Sequence, residues 1–360
     1  MSVDSTAEQN RQTMEADIVC VGFGPAAGGF LTELTRELAQ DGGATLQSSV
    51  MPGMPLQVIC YERADDVGFG VSGVVSRARA IRTSFPELNP ADVPMAAEVS
   101  HEEVLYLLDP GKASRRSALV RFADTALRLL GPVLPLKDHA FKLPYIPPFL
   151  RKEPGLTFSL GQFTQWAAGQ VMGSGMAQIW PGMPVAAPLF EGERVCGVRL
   201  LDQGTDLSGA PGDGYMPGMD IRAALTVVAD GPVGAVGQAL NRKFGLPPGN
   251  EQFEWAVGAK MVVELAPGSG LKPGTVLHTF GYPEPEIFGF LYVHPDNLAS
   301  LGIFVPSTFG SPARTSYRYL QQWMKHPALA GYLAGAELRS WGAKSLLESG
   351  RRGEPYLAGD

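Results

Sequence analysis

Asp17-Ile18-Val19-Cys20-Val21-Gly22-Phe23-Gly24-Pro25-Ala26-Ala27-Gly28-Gly29 reads as a short buried strand, a glycine-rich turn and the start of a helix. Phe30, Leu34 and Leu38 then recur every four residues, the spacing of one helix face. Gly22, Gly24 and Ala27 make a G-x-G-x-x-A fingerprint in the strand–turn–helix setting that a dinucleotide site requires. Gly22 permits the tight turn, and Gly24 removes a Cβ from the path of a pyrophosphate. Ala27 lets the helix pack closely on its strand. The first turn of that helix offers unpaired N–H groups and a partial positive charge to phosphate.

A second strand ending in an acid should follow, to hydrogen-bond a ribose. Gln57-Val58-Ile59-Cys60-Tyr61-Glu62 fits, with Glu62 at its tip. Glu62 lies 38 residues after Gly24, beyond the usual spacing of about 20. The Gly/Ser/Met/Pro-rich stretch 41–56 accounts for the excess as an inserted loop. An ordinary exposed strand-end acid is the other reading of Glu62.

The 360 residues suffice for one large domain or two interleaved ones. With 18% charged residues, a net charge of −7 and no basic stripe, nucleic acid is not an expected partner. Cys20, Cys60 and Cys196 each fall in an apparent strand and form no C-x-x-C pair. They read as packing residues of a reduced compartment, not as ligands for zinc or an iron–sulfur cluster. Residues 1–16 are polar and slightly acidic, without the features of a signal or transit peptide, and are expected to form a disordered tail. No apolar run reaches membrane-spanning length, so a cytoplasmic location is expected, with peripheral attachment to the inner face of the cytoplasmic membrane as an option.

Residues 63–73 form a glycine-dense loop, and a helix is expected from about Arg116 to Leu130. Phe141-Lys142-Leu143-Pro144-Tyr145-Ile146-Pro147-Pro148-Phe149-Leu150 is too proline-broken for a helix or a central strand. It is either a loop buried on its own domain or an apolar lip, flanked by Arg151 and Lys152, that dips into a bilayer surface. Gly161–Val171 reads as a helix, with strands at 178–180, 185–189 and 194–201 and a turn at 203–218. Ala224–Gly231 reads as a wholly apolar strand ending in Asp230-Gly231, a second cofactor-side element or a plain strand-to-helix turn. A helix from about Val233 to Asn241 follows. From Trp255 the texture changes to strands at 255–265, 275–281, 287–294 and 299–305, an antiparallel meander. A last helix, 312–324, places Tyr317, Leu320 and Trp323 in the core.

This layout resembles glutathione-reductase-type flavoproteins: an α/β, Rossmann-like FAD-binding domain with an inserted antiparallel-sheet substrate domain. Within that group the chain resembles the electron-transfer flavoprotein–ubiquinone oxidoreductases and the related nitrogen-fixation-associated dehydrogenases and geranylgeranyl reductases. The resemblance is clearest in Val21–Gly28, Ile179-Trp180-Pro181-Gly182 and Thr226–Gly234. It continues through Gly274–Pro283, Phe290–His294, Trp323–Pro327 and Gly342–Leu346. It implies a disordered tail at 1–16 and FAD-binding segments at 17–84 and 156–245. It further implies an insert with a membrane-contacting loop at 85–155, an antiparallel quinone domain at 246–340, and an incomplete return to the FAD domain at 341–360.

By the same resemblance the cofactor is FAD. Gly22, Gly24, Pro25, Ala26 and Ala27 would hold its pyrophosphate, and Glu62 with Arg63 its ribose. Gly70, Ser72 and Gly73 would line the isoalloxazine or ribityl region and Val185 the adenine. Asp230 and Gly231 would close the flavin side, and Gly359 and Asp360 would begin the last FAD loop. The implied activity passes electrons from reduced electron-transfer flavoprotein to ubiquinone at a membrane surface touched by Phe141–Leu150, with the quinone near Gly281, Tyr282 and Gly289. No general acid or base is expected, and His278 and His294 are better read as structural.

The chain departs from the family pattern in three places. Ser159 stands where an arginine is usual before Leu160-Gly161, and Phe288-Gly289 stands for a Gly-Gly pair. The sequence stops at Asp360, and the four cysteines of the family's 4Fe-4S cluster are absent from it. A truncated form and a cluster-free relative are both compatible with this. The alternatives in function are a FAD-dependent reductase or hydroxylase of an isoprenoid or other apolar substrate, and a non-catalytic fragment.

Overall fold

The computed structural model describes residues 11–70, 72–110, 116–245, 254–307, 315–348 and 350. The chain runs through β1 (Thr13–Val21), α1 (Pro25–Gln40), β2 (Val58–Tyr61), β3 (His101–Leu107), α2 (Ala118–Leu129), α3 (Leu160–Gly173) and β4 (Asp220–Val228). It continues through α4 (Ala235–Phe244), β5 (Trp255–Glu264), β6 (Thr275–Phe280), β7 (Phe288–Val293), β8 (Leu298–Pro306), α5 (Ser316–Met324) and β9 (Glu337–Leu347). Shorter strands connect these. The fold divides into two compact units, one comprising Met1–Phe69 with Thr164–Pro247 and the other Gly70–Phe163 with Pro248–Asp360.

The first unit is built on a six-stranded sheet in the order 185–191, 194–200, β4, β1, β2, 178–180. β1 pairs in parallel with both β4 and β2, which buries both of its faces and explains its unbroken apolar run. Because side chains alternate across a strand, Ile18 and Cys20 pack with Leu31 and Leu38 of α1. Val19 and Val21 pack on the opposite face with Val198, Ile221 and Val236. The inserted loop is tied to β1 by Asp17. Its carboxylate accepts from the Ser49 N–H and hydroxyl, at 2.8 and 2.7 Å, and from the Gln57 N–H at 2.8 Å. Burial alone would raise the Asp17 pKa, but hydrogen bonds from Ser48, Gln57 and Ser49 outweigh it and hold the group at about 2.

The second unit carries an eight-stranded sheet in the order β9, β5, β8, β7, β6, β3, 140–142, 136–137. All its pairs are antiparallel except β6 with β3. One core cluster joins Ala259, Met261, Leu291 and Ile303 to Tyr319, Leu320 and Trp323 of α5. A second, more aromatic cluster holds Val276, Phe290 and Tyr292, with Phe288 and Phe304 packed against it. A small sheet of 73–76, 156–159 and 97–98 completes the unit.

The α/β fold with an antiparallel-sheet unit and the strands expected from Trp255 onward are therefore present, and five expectations are corrected. The stretch 1–16 is not wholly a disordered tail, because β1 starts at Thr13 and Arg11 donates two hydrogen bonds to Asp202, at 2.5 and 2.9 Å. Residues 70–84 and 156–163 fall in the second unit, not with the dinucleotide-binding segments. Residues 341–347 pair with β5 along the edge of the large sheet, so this part does not return to the first unit. The turn at 203–218 contains a hairpin, 203–205 with 211–216. Tyr317 is not core: it is about half exposed and lies 6.4 Å from the exposed Trp341, whereas Leu320 and Trp323 are fully buried.

Candidate functional site

At the end of β1 the backbone turns at Gly22 with φ +83. The Gly22 N–H donates to the Tyr61 carbonyl at 2.8 Å, and a Cβ here would come within 2.8 Å of the Ala229 oxygen. No other residue type fits that close approach. Gly24 is the N-cap of α1 and faces open space, with nothing within 4 Å of where a Cβ would stand. Pro25 opens the helix, Ala26 is exposed, and Ala27 is fully buried against the sheet. No side chain caps α1, and its first turn carries no acid. A helix of 16 residues that opens with neither leaves its N-terminal amides and positive dipole end to a ligand. These features fit the pyrophosphate of a dinucleotide.

Glu62 sits at the tip of β2, as expected, and does a task the sequence did not reveal. One carboxylate oxygen accepts from the Phe23 N–H at 2.8 Å and the other from the Ala64 N–H at 2.9 Å. The acid thus holds the Gly22–Phe23 turn in place, with lone pairs remaining for a ribose hydroxyl. Its neighbour Arg63 is exposed. Asp230 brings its backbone against the Gly22 turn, while its carboxylate accepts from the N–H groups of Val236 and Gly237 and caps α4. That is the strand-to-helix role left open above. Gly231 has φ +80. Val185 starts an edge strand beside a bulge. β4 is less buried than its apolar sequence implies, with Leu225 48% exposed.

In the second unit Gly70 is exposed and Gly73 packs so closely on Ser300 that a Cβ would overlap it. Ser72 accepts a hydrogen bond from Lys260, an ammonium that burial, with Lys344 nearby, pushes down to about 8. Ser159 ends its strand with its hydroxyl 3.5 Å from the Gln162 N–H of α3. Gly359 and Asp360 lie outside the described residues.

Gly281 follows β6 at φ +97, a position where a Cβ would meet the Tyr106 ring at 2.7 Å. The Tyr282 ring stands 5.1 Å from His326, a buried histidine whose Nε2 lies 2.9 Å from the Leu108 carbonyl. Gly289 lies opposite Thr279 in the β6–β7 ladder. The Trp323 indole N–H donates across it to the Thr279 hydroxyl at 2.7 Å, and a Cβ on Gly289 would fall 2.4 Å from that indole nitrogen. His278 and His294 are buried with partners: Tyr292 hydroxyl at 3.0 Å and Ser300 hydroxyl at 2.8 Å. Burial, with Lys152 near His278, lowers each to about 4, so both are neutral at pH 7.

Sequence reasoning did not find the outward apolar face of α2. Leu119, Phe122, Leu129 and, just beyond the helix, Val133 share one stripe and are 73–80% exposed, while the helix buries only Asp124. The segment 141–150 also exposes Tyr145 and Phe149. Glu102 clamps the far end of this loop by accepting from the Lys152 and Glu153 N–H groups, both at 2.9 Å. Arg77 donates to the carbonyls of Pro148 and Arg151. Periodicity locates an apolar stripe without saying which way it points. The clue here was Asp124 on the opposite side. Among the described residues no helix is long and apolar enough to cross a membrane.

The three cysteines are buried in strands of the first unit. Burial pushes the Cys20 thiol up to about 12 and the Cys60 thiol higher still. Among the described residues no group of three or more His, Cys, Asp or Glu could hold a metal. These residues do not fit an iron–sulfur cluster.

The fold is that of FAD-dependent flavoproteins. A geranylgeranyl bacteriochlorophyll reductase-like protein from Thermoplasma acidophilum matches with a TM-score of 0.57 at 14% identity, over 93% of this chain and 67% of that one. A flavin-dependent brominase matches at 0.55 and 16%, over 92% and 67%. Residues 255–346 match the family model described as ETF-QO, ubiquinone-binding. Over 96% of its length the chain is 27% identical to the electron transfer flavoprotein-ubiquinone oxidoreductase of Pseudomonas aeruginosa, covering 57% of that protein. It is 28% identical to the mitochondrial protein of the same name from Arabidopsis thaliana, over 98% of the chain and 50% of that relative. The resemblance seen in the sequence thus extends over nearly the whole chain, which spans about half the length of these curated relatives.

Proposed function

We propose that this chain is the flavin- and quinone-binding part of an oxidoreductase that passes electrons from reduced electron-transfer flavoprotein to ubiquinone. The observation that carries the reading is the uncapped start of α1 behind Gly22 and Gly24, in the same chain as the 255–346 match. Gly22, Gly24, Pro25, Ala26 and Ala27 form the cradle for the pyrophosphate of FAD: Gly24, Ala26 and Ala27 offer backbone N–H groups, Gly22 makes the turn, and Pro25, which has no N–H, opens the helix. Glu62 and Arg63 face its ribose, and Val185 its adenine. Gly70, Ser72 and Gly73 are the residues proposed for the isoalloxazine or ribityl region, and Asp230 and Gly231 those proposed for the flavin side. When bound, the flavin accepts electrons and releases them to the quinone. The protein binds, orients and excludes water. Gly281, Tyr282 and Gly289 line the acceptor's approach, and the 4Fe-4S cluster of the family is not carried by these residues.

The outward faces of α2 and of 141–150 are the proposed contact with lipid. Their exposed Leu, Phe and Tyr side chains are bordered by Arg121, Lys142 and Arg151, which suit an anionic surface. The protein is then peripheral on a membrane.

The test is the visible spectrum of the purified protein, reduced anaerobically and then given a short-chain ubiquinone analogue. A flavin spectrum that returns on adding quinone supports the proposal. Reoxidation by oxygen alone favours the reductase or hydroxylase, and no flavin after reconstitution with FAD favours a non-catalytic chain.

A further inference from the structure

Most amphipathic helices on a sheet turn their apolar stripe inward. α2 does the reverse, and its inward anchor is ionic. Asp124 accepts from Arg116 at 2.6 Å and from the Tyr106 hydroxyl at 2.9 Å, with both charged side chains almost wholly buried. The other arm of the Arg116 guanidinium donates to the Leu107 carbonyl at 3.1 Å and to the Gly281 carbonyl. The Tyr106 ring is also the surface on which Gly281 rests. One side chain therefore ties three things together: the helix that shows its apolar face outward, the end of β3, and the peptide just before Tyr282.

A buried ion pair is a poor device for gaining stability, because desolvation offsets the attraction. It is a good device for fixing geometry, since a planar fork has few satisfactory arrangements. An apolar contact would let α2 slide, whereas this network holds it in one register against the Gly281 carbonyl.

We propose that Arg116 is a positioning residue that couples α2 to the Gly281–Tyr282 turn, so that seating the helix on a lipid surface also fixes the acceptor side of the site. This rests on the function proposed above. Lipid contact removes freedom from α2, and the Arg116 fork transmits that restriction to residues 281–287 through the Gly281 carbonyl.

The test uses the full-length, FAD-loaded chain, its flavin spectrum checked first, with vesicles of phosphatidylcholine and phosphatidylglycerol. Hydrogen exchange at 281–287 is followed with and without vesicles in wild type, Arg116→Lys and Tyr106→Phe. Tyr106→Phe keeps the ring under Gly281 and removes only the hydroxyl, so it remains informative if the arginine variant fails to fold. Vesicles are expected to slow exchange in both α2 and 281–287 of wild type. In Arg116→Lys they should slow α2 alone, whereas Tyr106→Phe, which keeps the Arg116 bonds to Asp124 and Gly281, should retain the coupling. The KM for the quinone analogue should rise about tenfold in Arg116→Lys, the factor for one charge-assisted hydrogen bond lost, with kcat little changed. Vesicles that slow α2 of wild type without affecting 281–287 overturn the coupling, and so does a wild type that ignores vesicles. A wild type that shows the coupling in exchange but is not reoxidised by quinone overturns the proposed function and leaves the coupling standing.

Discussion

Replacing Gly289 by alanine puts one methyl group into a space that is already filled. Its carbon would stand 2.4 Å from the Trp323 indole nitrogen and 2.6 Å from the Thr279 hydroxyl, the two atoms that hydrogen-bond to each other across the glycine. Real carbons do not approach below about 3 Å, so the indole must move by roughly half an ångström or more. Trp323 is fully buried among α5, β6 and β7 side chains and has nowhere to go. Overpacking of this kind costs about 1–3 kcal/mol, and an indole N–H that loses its buried partner adds about 1–3 kcal/mol. Gly289→Ala should therefore destabilise the second unit by roughly 2–5 kcal/mol. Hydrogen exchange of the β7 amides in increasing urea measures it, because exchange reports this unit separately from the other. Gly289→Ala combined with Trp323→Phe should recover at least about 1 kcal/mol relative to additivity, since the smaller ring vacates the contested space. A Gly289→Ala protein within about 0.5 kcal/mol of wild type, or a strictly additive double variant, would refute the packing argument and leave Gly289 as a contact for the acceptor alone.

Gly24→Val should leave stability nearly unchanged, because the site is open and the backbone ordinary, yet abolish flavin retention after gel filtration; Gly22→Ala should instead lower the melting temperature whether or not FAD is present. His278 and His294 are held near 4 in the native protein against about 6.5 unfolded, so the native state binds fewer protons and stability must rise with pH between 4 and 6.5. The two together amount to about 7 kcal/mol at most, present above pH 6.5 and gone below 4; a urea midpoint flat across that window would contradict it. Asp17→Asn should cost about 2 kcal/mol at pH 7, with the wild-type advantage disappearing only as pH falls from 4 towards 2, read from urea unfolding of the first unit. Lys260→Met should stabilise the second unit by up to about 3 kcal/mol at pH 7, because the buried ammonium is charged there at a cost; the gain should vanish as pH rises from 8 to 10.5.

The dinucleotide fold was legible because its chemistry is local. Gly22, Gly24 and Ala27 sit within six residues of one another, and the apolar runs of β1 and β2 announce parallel strands without help from the rest of the chain. The antiparallel strands after Trp255 were legible for the same reason, each being a short apolar run between Pro/Gly turns. What escaped the sequence depends on distant partners. Nothing near Glu62 says that its oxygens are taken by Phe23 and Ala64, and nothing in Ala118–Leu129 says that Asp124 meets Arg116 and Tyr106. The assignment of 341–347 to the wrong unit has a similar cause: a strand's partner is chosen by register across the sheet, here β5, about 80 residues earlier.

The Gly22–Phe23 turn is assembled from pieces far apart in the chain: Gly22, the Glu62 carboxylate and the backbone of Ala229 and Asp230. None of these contacts exists until β2 and β4 have both closed on β1, and that closure requires the long loops between them to be gathered first. A nascent chain therefore offers nothing for a nucleotide to hold, and added cofactor should leave the refolding rate alone. Its effect falls on the reverse step: a ligand seated on the finished turn has to leave before the three strands part, so occupancy governs how long the folded protein lasts.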